Sequence, residues 1–272
     1  MSEPAAPETS EAAAQDSLDV EPAAAVADDP GGPGDVDSRP ETSAAWVLLT
    51  PLLPWLVALP GGPWLLPLAA PLTVYPAFAA RVKARRYGRA WLLAMAWAAL
   101  LSVGVITLVA VRPLLAANGI VHGQAYKAEM VQWVATGTGK ETTPAQFVPE
   151  HLLHLGAFLV LTTVSAGYLG LALGAFLMAY MSYFVGSLAL ASSRPVVAGL
   201  AAWVPWSVIR VMAFVLLGVL LARPLLMRQR WPFGRREAWL FALAFAGIAA
   251  DIALKTVLAP RWGLLLRDLL IR

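Results

Sequence analysis

The chain has only three histidines, His122, His151 and His154, and two glutamates, Glu129 and Glu150, accompany them. Imidazole nitrogens and carboxylate oxygens are common ligands of a divalent metal such as zinc. A carboxylate outside the metal shell can act as a general base on a metal-bound water. The residues therefore predict a metal-dependent hydrolase site, with the three histidines as ligands and Glu129 and Glu150 as the catalytic carboxylates.

Helical spacing would place these groups on shared faces. His122 and Glu129 fall on one face of a predicted helix together with two aromatic residues. Glu150, His151 and His154 are three and four positions apart, so they can share one side of the next helix. Their order, E-H-x-x-H, matches neither H-E-x-x-H nor H-x-x-E-H of the known zinc hydrolases. Alternative roles are a proton relay, substrate binding, or non-catalytic anchoring of the rings at the membrane surface.

A second group of ionisable residues lies inside apolar sequence. Arg210 falls near the midpoint of the stretch 196–221, and Asp251 lies just past the midpoint of 238–257, followed one turn later by Lys255. Inserting each such residue into a membrane costs about 2.5–3.5 kcal/mol, so each is a candidate for a functional role. We expect Arg210 and Asp251 to pair, with Lys255 close by. The pair could join helices of a non-catalytic assembly protein, or line the path of a transporter or permease subunit.

Composition excludes an ordinary soluble enzyme. The chain has 272 residues, of which 59% are hydrophobic and 14% charged, and it contains no cysteine, whereas soluble domains have about 25% charged residues. Disulfides, thiolate metal sites and cysteine nucleophiles are therefore excluded. Residues 1–43 hold eleven of the 17 acidic side chains and few large apolar ones, which predicts a disordered acidic tail in the cytoplasm.

The remaining sequence predicts an all-α fold, a polytopic transmembrane helical bundle of five spans within 81–258, or about seven if the proline-rich segment 44–80 also crosses. A span needs about 20 apolar residues, and the stretch 151–190 is long enough for two helices joined by a turn at 168–170. The proline-rich segment 44–80 is either a helical hairpin or a re-entrant segment. Three further stretches can each cross once: 90–111, 196–221 and 238–257.

Basic clusters predict the orientation, because cytoplasmic loops are enriched in arginine and lysine. The segment 112–150 has few basic residues and is expected at the outer face, while 259–272 is expected to form an interfacial amphipathic helix. The high arginine and alanine content suggests a bacterial source, and hence the inner membrane with the N-terminus in the cytoplasm. We expect the lipid bilayer and other membrane proteins as partners, and no nucleic acid. The cytoplasmic basic residues are Arg81, Lys83, Arg85, Arg86, Arg89, Arg223, Arg228, Arg230, Arg235 and Arg236.

Overall fold

The computed structural model describes residues 44–228 and 234–271, so the predicted acidic tail at 1–43 lies outside the described residues. The described chain is helical throughout and contains no β-strand, as the all-α prediction required. Short 3₁₀ helices occur at Ala44–Ala58, Ala70–Thr73 and Lys140–Thr142. The α-helices are α1 (Gly62–Ala69), α2 (Tyr75–Lys83), α3 (Tyr87–Val111), α4 (Pro113–Gly119), α5 (Gly123–Thr136), α6 (Pro144–Val164), α7 (Tyr168–Ala191), α8 (Pro195–Ala202), α9 (Pro205–Met227) and α10 (Arg235–Ile271).

Five helices are long and apolar enough to cross a membrane, namely α3, α6, α7, α9 and α10. An α-helix forms its backbone hydrogen bonds within its own segment, which a membrane-spanning element requires. The described chain is thus a helical membrane protein. In the proline-rich segment, Gly62–Thr73 and Tyr75–Lys83 meet at 42° and could form a sixth, broken span. Whether this segment crosses the membrane stays a prediction.

The stretch 151–190 forms two helices, as predicted, but the turn lies slightly earlier than expected, between Val164 and Tyr168. Gly167 has a φ of 96°, in the left-handed region that favours glycine. A Cβ on Gly167 would lie 3.0 Å from the Cβ of Ala222 and 3.2 Å from the ring of Phe78. The turn therefore needs glycine both for its backbone conformation and for its close packing.

Two helices differ from the sequence prediction in their extent. The stretch 196–221 is divided at Trp203 and Val204 into α8 and α9. Val204 is extended (φ −60°, ψ 139°) because the residue before a proline disfavours the helical region. Arg210 consequently lies in the second turn of α9 rather than at the midpoint of a span. At the other end of the chain, residues 259–271 continue α10 instead of forming a separate helix.

The bundle has two distinct ends. The loop end carries α4, α5 and the 3₁₀ turn Lys140–Thr142. The opposite end, called the basic end below, carries Arg81 and Lys83 in the last turn of α2, followed by Arg85 and Arg86. The guanidinium of Arg223 on α9 also lies at this end, 5.9 Å from the centre of the Tyr87 ring. Between the ends, α3 packs so closely on the 3₁₀ helix Ala44–Ala58 that a Cβ on Gly104 would lie 2.5 Å from the carbonyl oxygen of Pro51.

Candidate functional site

The two predicted groups of ionisable residues line one cavity. The sequence suggested a histidine–glutamate group in one place and an arginine–aspartate pair in another. In the structure, both groups face the same cavity of about 120 Å³. Seven of the eight predicted site residues line it: Glu129, Glu150, His151, His154, Arg210, Asp251 and Lys255.

Arg210 of α9 joins three helices at the centre of this cavity. One of its terminal nitrogens contacts Nε2 of His151 on α6, and the other donates a hydrogen bond to Oγ of Ser207, at 2.9 Å. Its Nε lies 3.7 Å from Oδ2 of Asp251 on α10, and His151 Nε2 lies 3.5 Å from the same oxygen. The Arg210 side chain is 22% exposed and lines the cavity, so it can still interact with a molecule there.

Asp251 is completely buried, at 0% exposure. Within the part of the chain that the structure describes, neither carboxylate oxygen of Asp251 accepts a hydrogen bond. Its interactions with Arg210 and His151 are instead longer contacts between charged or polar groups. A buried carboxylate without a donor is costly, so Asp251 is suited to accept a hydrogen bond from a bound molecule.

Lys255 pairs with a residue that the sequence analysis missed. Its Nζ donates a hydrogen bond to Oε1 of Glu141 at 2.8 Å, and both side chains are buried. The ammonium also lies 4.4 Å from the centre of the Phe147 ring. Glu141 belongs to the 3₁₀ turn Lys140–Thr142, which follows Gly139 with its φ of 137°. Its only sequence signal was an acidic residue in a loop, which normally indicates solvent exposure.

Lys140 organises the carboxylates at the loop end of the cavity. It forms an ion pair with Glu150, and its Nζ lies 3.6 Å from Oε2 of Glu129. Burial lowers the pKa of Lys140, but the hydrogen bond to Glu150 and the charges of both glutamates raise it above the ordinary lysine value. Burial raises the pKa of Glu129 above the ordinary glutamate value although the charge of Lys140 lowers it, and the charges of Glu150 and Glu141 add to the rise. Glu129 is therefore poised to exchange a proton.

Two tyrosines stand beside these carboxylates. The rings of Tyr126 on α5 and Tyr180 on α7 are 4.7 Å apart, and both residues line the cavity. Burial raises the pKa of Tyr126 well above the ordinary tyrosine value, and the charge of Glu141 adds to the shift. Tyr126 therefore keeps its proton at neutral pH and can donate a hydrogen bond into the cavity.

His122 lies apart from the cavity. The helix α5 begins at Gly123, and His122 precedes it with a φ of 59°, so it does not share the helical face of Glu129 as expected. Its ring is exposed and packs edge-on against Phe176, with the centroids 5.8 Å apart. Among the described residues, no three histidine, aspartate or glutamate side chains are arranged to hold a metal ion.

The zinc hypothesis makes a measurable prediction. Arg210 contacts Nε2 of His151, and a guanidinium at that nitrogen repels a second cation. We therefore expect the purified wild type and the His151→Ala/His154→Ala variant to contain the same amount of divalent metal, measured by mass spectrometry of the elements. One equivalent of metal in the wild type, lost in the variant, would instead establish these histidines as ligands.

The cavity has a polar arm and an apolar arm. The ionisable side chains that line the cavity all lie towards the loop end, and we call this part the polar arm. Towards the basic end, the lining residues on each helix are apolar, and these form the apolar arm. Its wall includes Phe78, Trp97, Gly167, Gly170, Leu171 and Gly174. The cavity as a whole is thus amphipathic along the bundle axis.

Comparison with known proteins adds no family to this description. No family model, no curated protein and no solved structure matches the chain.

Proposed function

We propose that the protein is a membrane-embedded hydrolase whose active site is the polar arm of this cavity. The observation that carries the proposal is the convergence of the histidine–glutamate group and the arginine–aspartate pair on one cavity. Charges inside a membrane are costly and are associated with function. A cavity that gathers most of the acidic residues found outside the N-terminal tail is a candidate for catalysis.

Glu129 and Arg210 have the main roles in this proposal. Glu129 accepts the proton of a water molecule whose oxygen attacks an ester carbon, and its raised pKa suits it for proton transfer. Arg210 faces the oxygen that becomes negative as the bond to water forms. When the ester bond breaks, the proton passes from Glu129 to the leaving oxygen. His151, Asp251 and Ser207 hold the guanidinium in place.

Replacing Glu129 should abolish this activity. We expect Glu129→Gln to lower the hydrolysis rate of p-nitrophenyl esters by about 10²–10⁴-fold, the usual contribution of a general base. The wild-type rate should rise with pH through a value above the ordinary pKa of glutamate, because only the ionised carboxylate accepts a proton. The measurement is release of p-nitrophenol by the full chain in lipid vesicles across a range of pH.

Asp268→Asn provides the matched control, since Asp268 is exposed and does not line this cavity. It should hydrolyse the ester at the wild-type rate. Equal rates for wild type and Glu129→Gln would contradict the assigned role, and no hydrolysis of any ester by folded wild type would contradict the hydrolase proposal.

A transporter or permease subunit is the second candidate. It is favoured by the fact that Arg210 and Asp251 face a cavity rather than only each other. Such a protein would move a molecule between the two sides of a vesicle without changing it chemically, which separates the two candidates. For either one we propose a bacterial inner membrane with the basic end and the N-terminus in the cytoplasm, on the distribution of basic residues.

A further inference from the structure

We propose that the substrate is an ester-linked amphiphile with a single alkyl chain in the apolar arm and an uncharged, hydroxyl-bearing headgroup in the polar arm. This inference names the substrate class of the proposed hydrolase and rests on that function. The shape of the cavity, the chemistry of its walls and the buried carboxylate of Asp251 support it.

The shape of the cavity suits one chain. Its lining follows one face of α7 from Gly167 to Met181, about 21 Å at 1.5 Å per residue. This is longer than one leaflet, which is about half of a 30 Å hydrocarbon core. The cavity has a volume of only about 120 Å³, so it is narrow along this length. Its apolar arm, towards the basic end, accommodates an unbranched alkyl chain better than a bulky or branched group.

Glycine makes room for the channel at one position. A Cβ on Gly174 would meet no other atom within 4 Å, although the residue is partly buried and lines the cavity. The space beside Gly174 is therefore unfilled by the protein. Gly170, one turn earlier, has a different role. A Cβ there would lie 2.0 Å from Oγ1 of Thr162, so this glycine allows α6 and α7 to pack closely.

The polar arm favours an uncharged headgroup. Its side chains do not provide an excess of positive charge for an anion such as a phosphate or a free carboxylate. Asp251 is 0% exposed, lines the cavity and accepts no hydrogen bond from any described residue. A hydroxyl group can supply the missing donor. The basic residues are Lys140, Arg210 and Lys255, and the acidic residues are Glu129, Glu141, Glu150 and Asp251.

Photolabelling tests the chain without requiring turnover. The full chain is placed in phosphatidylcholine nanodiscs with a monoacylglycerol that carries a diazirine in its alkyl chain, and labelled peptides are identified by mass spectrometry. We expect labelling of Leu171 and Met178 in the apolar arm. In Gly174→Leu the new side chain fills the channel, and labelling at these positions should fall at least about tenfold.

Gly156→Leu is the matched control, because Gly156 is exposed on α6, lies outside the cavity lining and has no atom within 4 Å of its Cβ position. It should be labelled like the wild type. Equal labelling of the two glycine variants would overturn the proposal, as would labelling of the wild type confined to its exposed surface. The positions labelled in the wild type test the proposal by themselves, so the test remains possible if Gly174→Leu fails to fold.

Competition in the wild type tests the headgroup. Unlabelled monoacylglycerol should remove the label, and a fatty acid of the same chain length should do so less effectively. A stronger effect of the fatty acid would overturn the headgroup assignment.

The labelling experiment and the hydrolysis experiment can contradict this inference and the proposed function independently of each other. Apolar-arm labelling without any ester hydrolysis contradicts the proposed function alone, whereas hydrolysis without apolar-arm labelling contradicts this inference alone.

Discussion

Lys255→Met is expected to lower the free energy of unfolding by about 3–5 kcal/mol, the usual cost of removing one partner of a buried ion pair. Glu141 would keep its charge in a buried position without the ammonium 2.8 Å away. The 3₁₀ turn Lys140–Thr142 would also lose its attachment to α10. The measurement is thermal unfolding of the purified protein in detergent.

The double variant Glu141→Leu/Lys255→Met distinguishes the interaction energy of the pair from the cost of leaving one buried charge without its partner. Because neither member of the pair is left as a buried charge without the other, the double variant should be clearly more stable than Lys255→Met alone. Lys83→Met serves as the control, since Lys83 is exposed, and should change stability by no more than about 0.5 kcal/mol. If the double variant lost as much as the two single variants together, the pair would not be energetically coupled.

Gly104→Ala is expected to destabilise the protein by more than about 3 kcal/mol, beyond the usual cost of overpacking. The added Cβ would lie 2.5 Å from the carbonyl oxygen and 2.7 Å from the Cα of Pro51. These are backbone atoms, so no side-chain rotation can relieve the contact. The gain of about 1 kcal/mol in helix propensity from glycine to alanine is too small to compensate. Yield of monodisperse protein and its melting temperature measure the effect.

Gly88→Ala is the control within the same helix. A Cβ on Gly88 would meet no atom within 4 Å, so the substitution should be neutral or stabilise the protein by up to about 1 kcal/mol. A Gly104→Ala protein that melts at or above the wild-type temperature would show that α3 and the 3₁₀ helix Ala44–Ala58 can separate without cost.

The helices were predictable because their signals are local. Apolar runs of about 20 residues mark a span wherever they occur, and the glycines after Val164 marked the break between α6 and α7. The division before α9 also had a local signal in Pro205, which disfavours helix at Val204. Reading that signal would have moved Arg210 from the middle of a span to its second turn.

The site was only partly predictable because its contacts are long-range. Arg210, His151 and Asp251 could be suspected from their positions in apolar sequence. Their shared cavity depends on how α6, α9 and α10 pack, which residue spacing does not show. Glu141 had no sequence signal that pointed to burial, since an acidic loop residue is ordinarily solvated. His122 was misplaced because the backbone takes a left-handed conformation just before α5 begins, which interrupts the expected helical face.

The pairing of Glu141 with Lys255 joins positions that are 114 residues apart, and this has a consequence for biogenesis. Chains are made and inserted from the N-terminus onwards. A nascent chain that has placed α9 but not yet α10 therefore holds Glu141 without Lys255 and Arg210 without Asp251. Insertion of α10 supplies both partners. Stalled or truncated chains would expose uncompensated charge to the bilayer, a feature by which quality-control proteases can distinguish them from finished molecules.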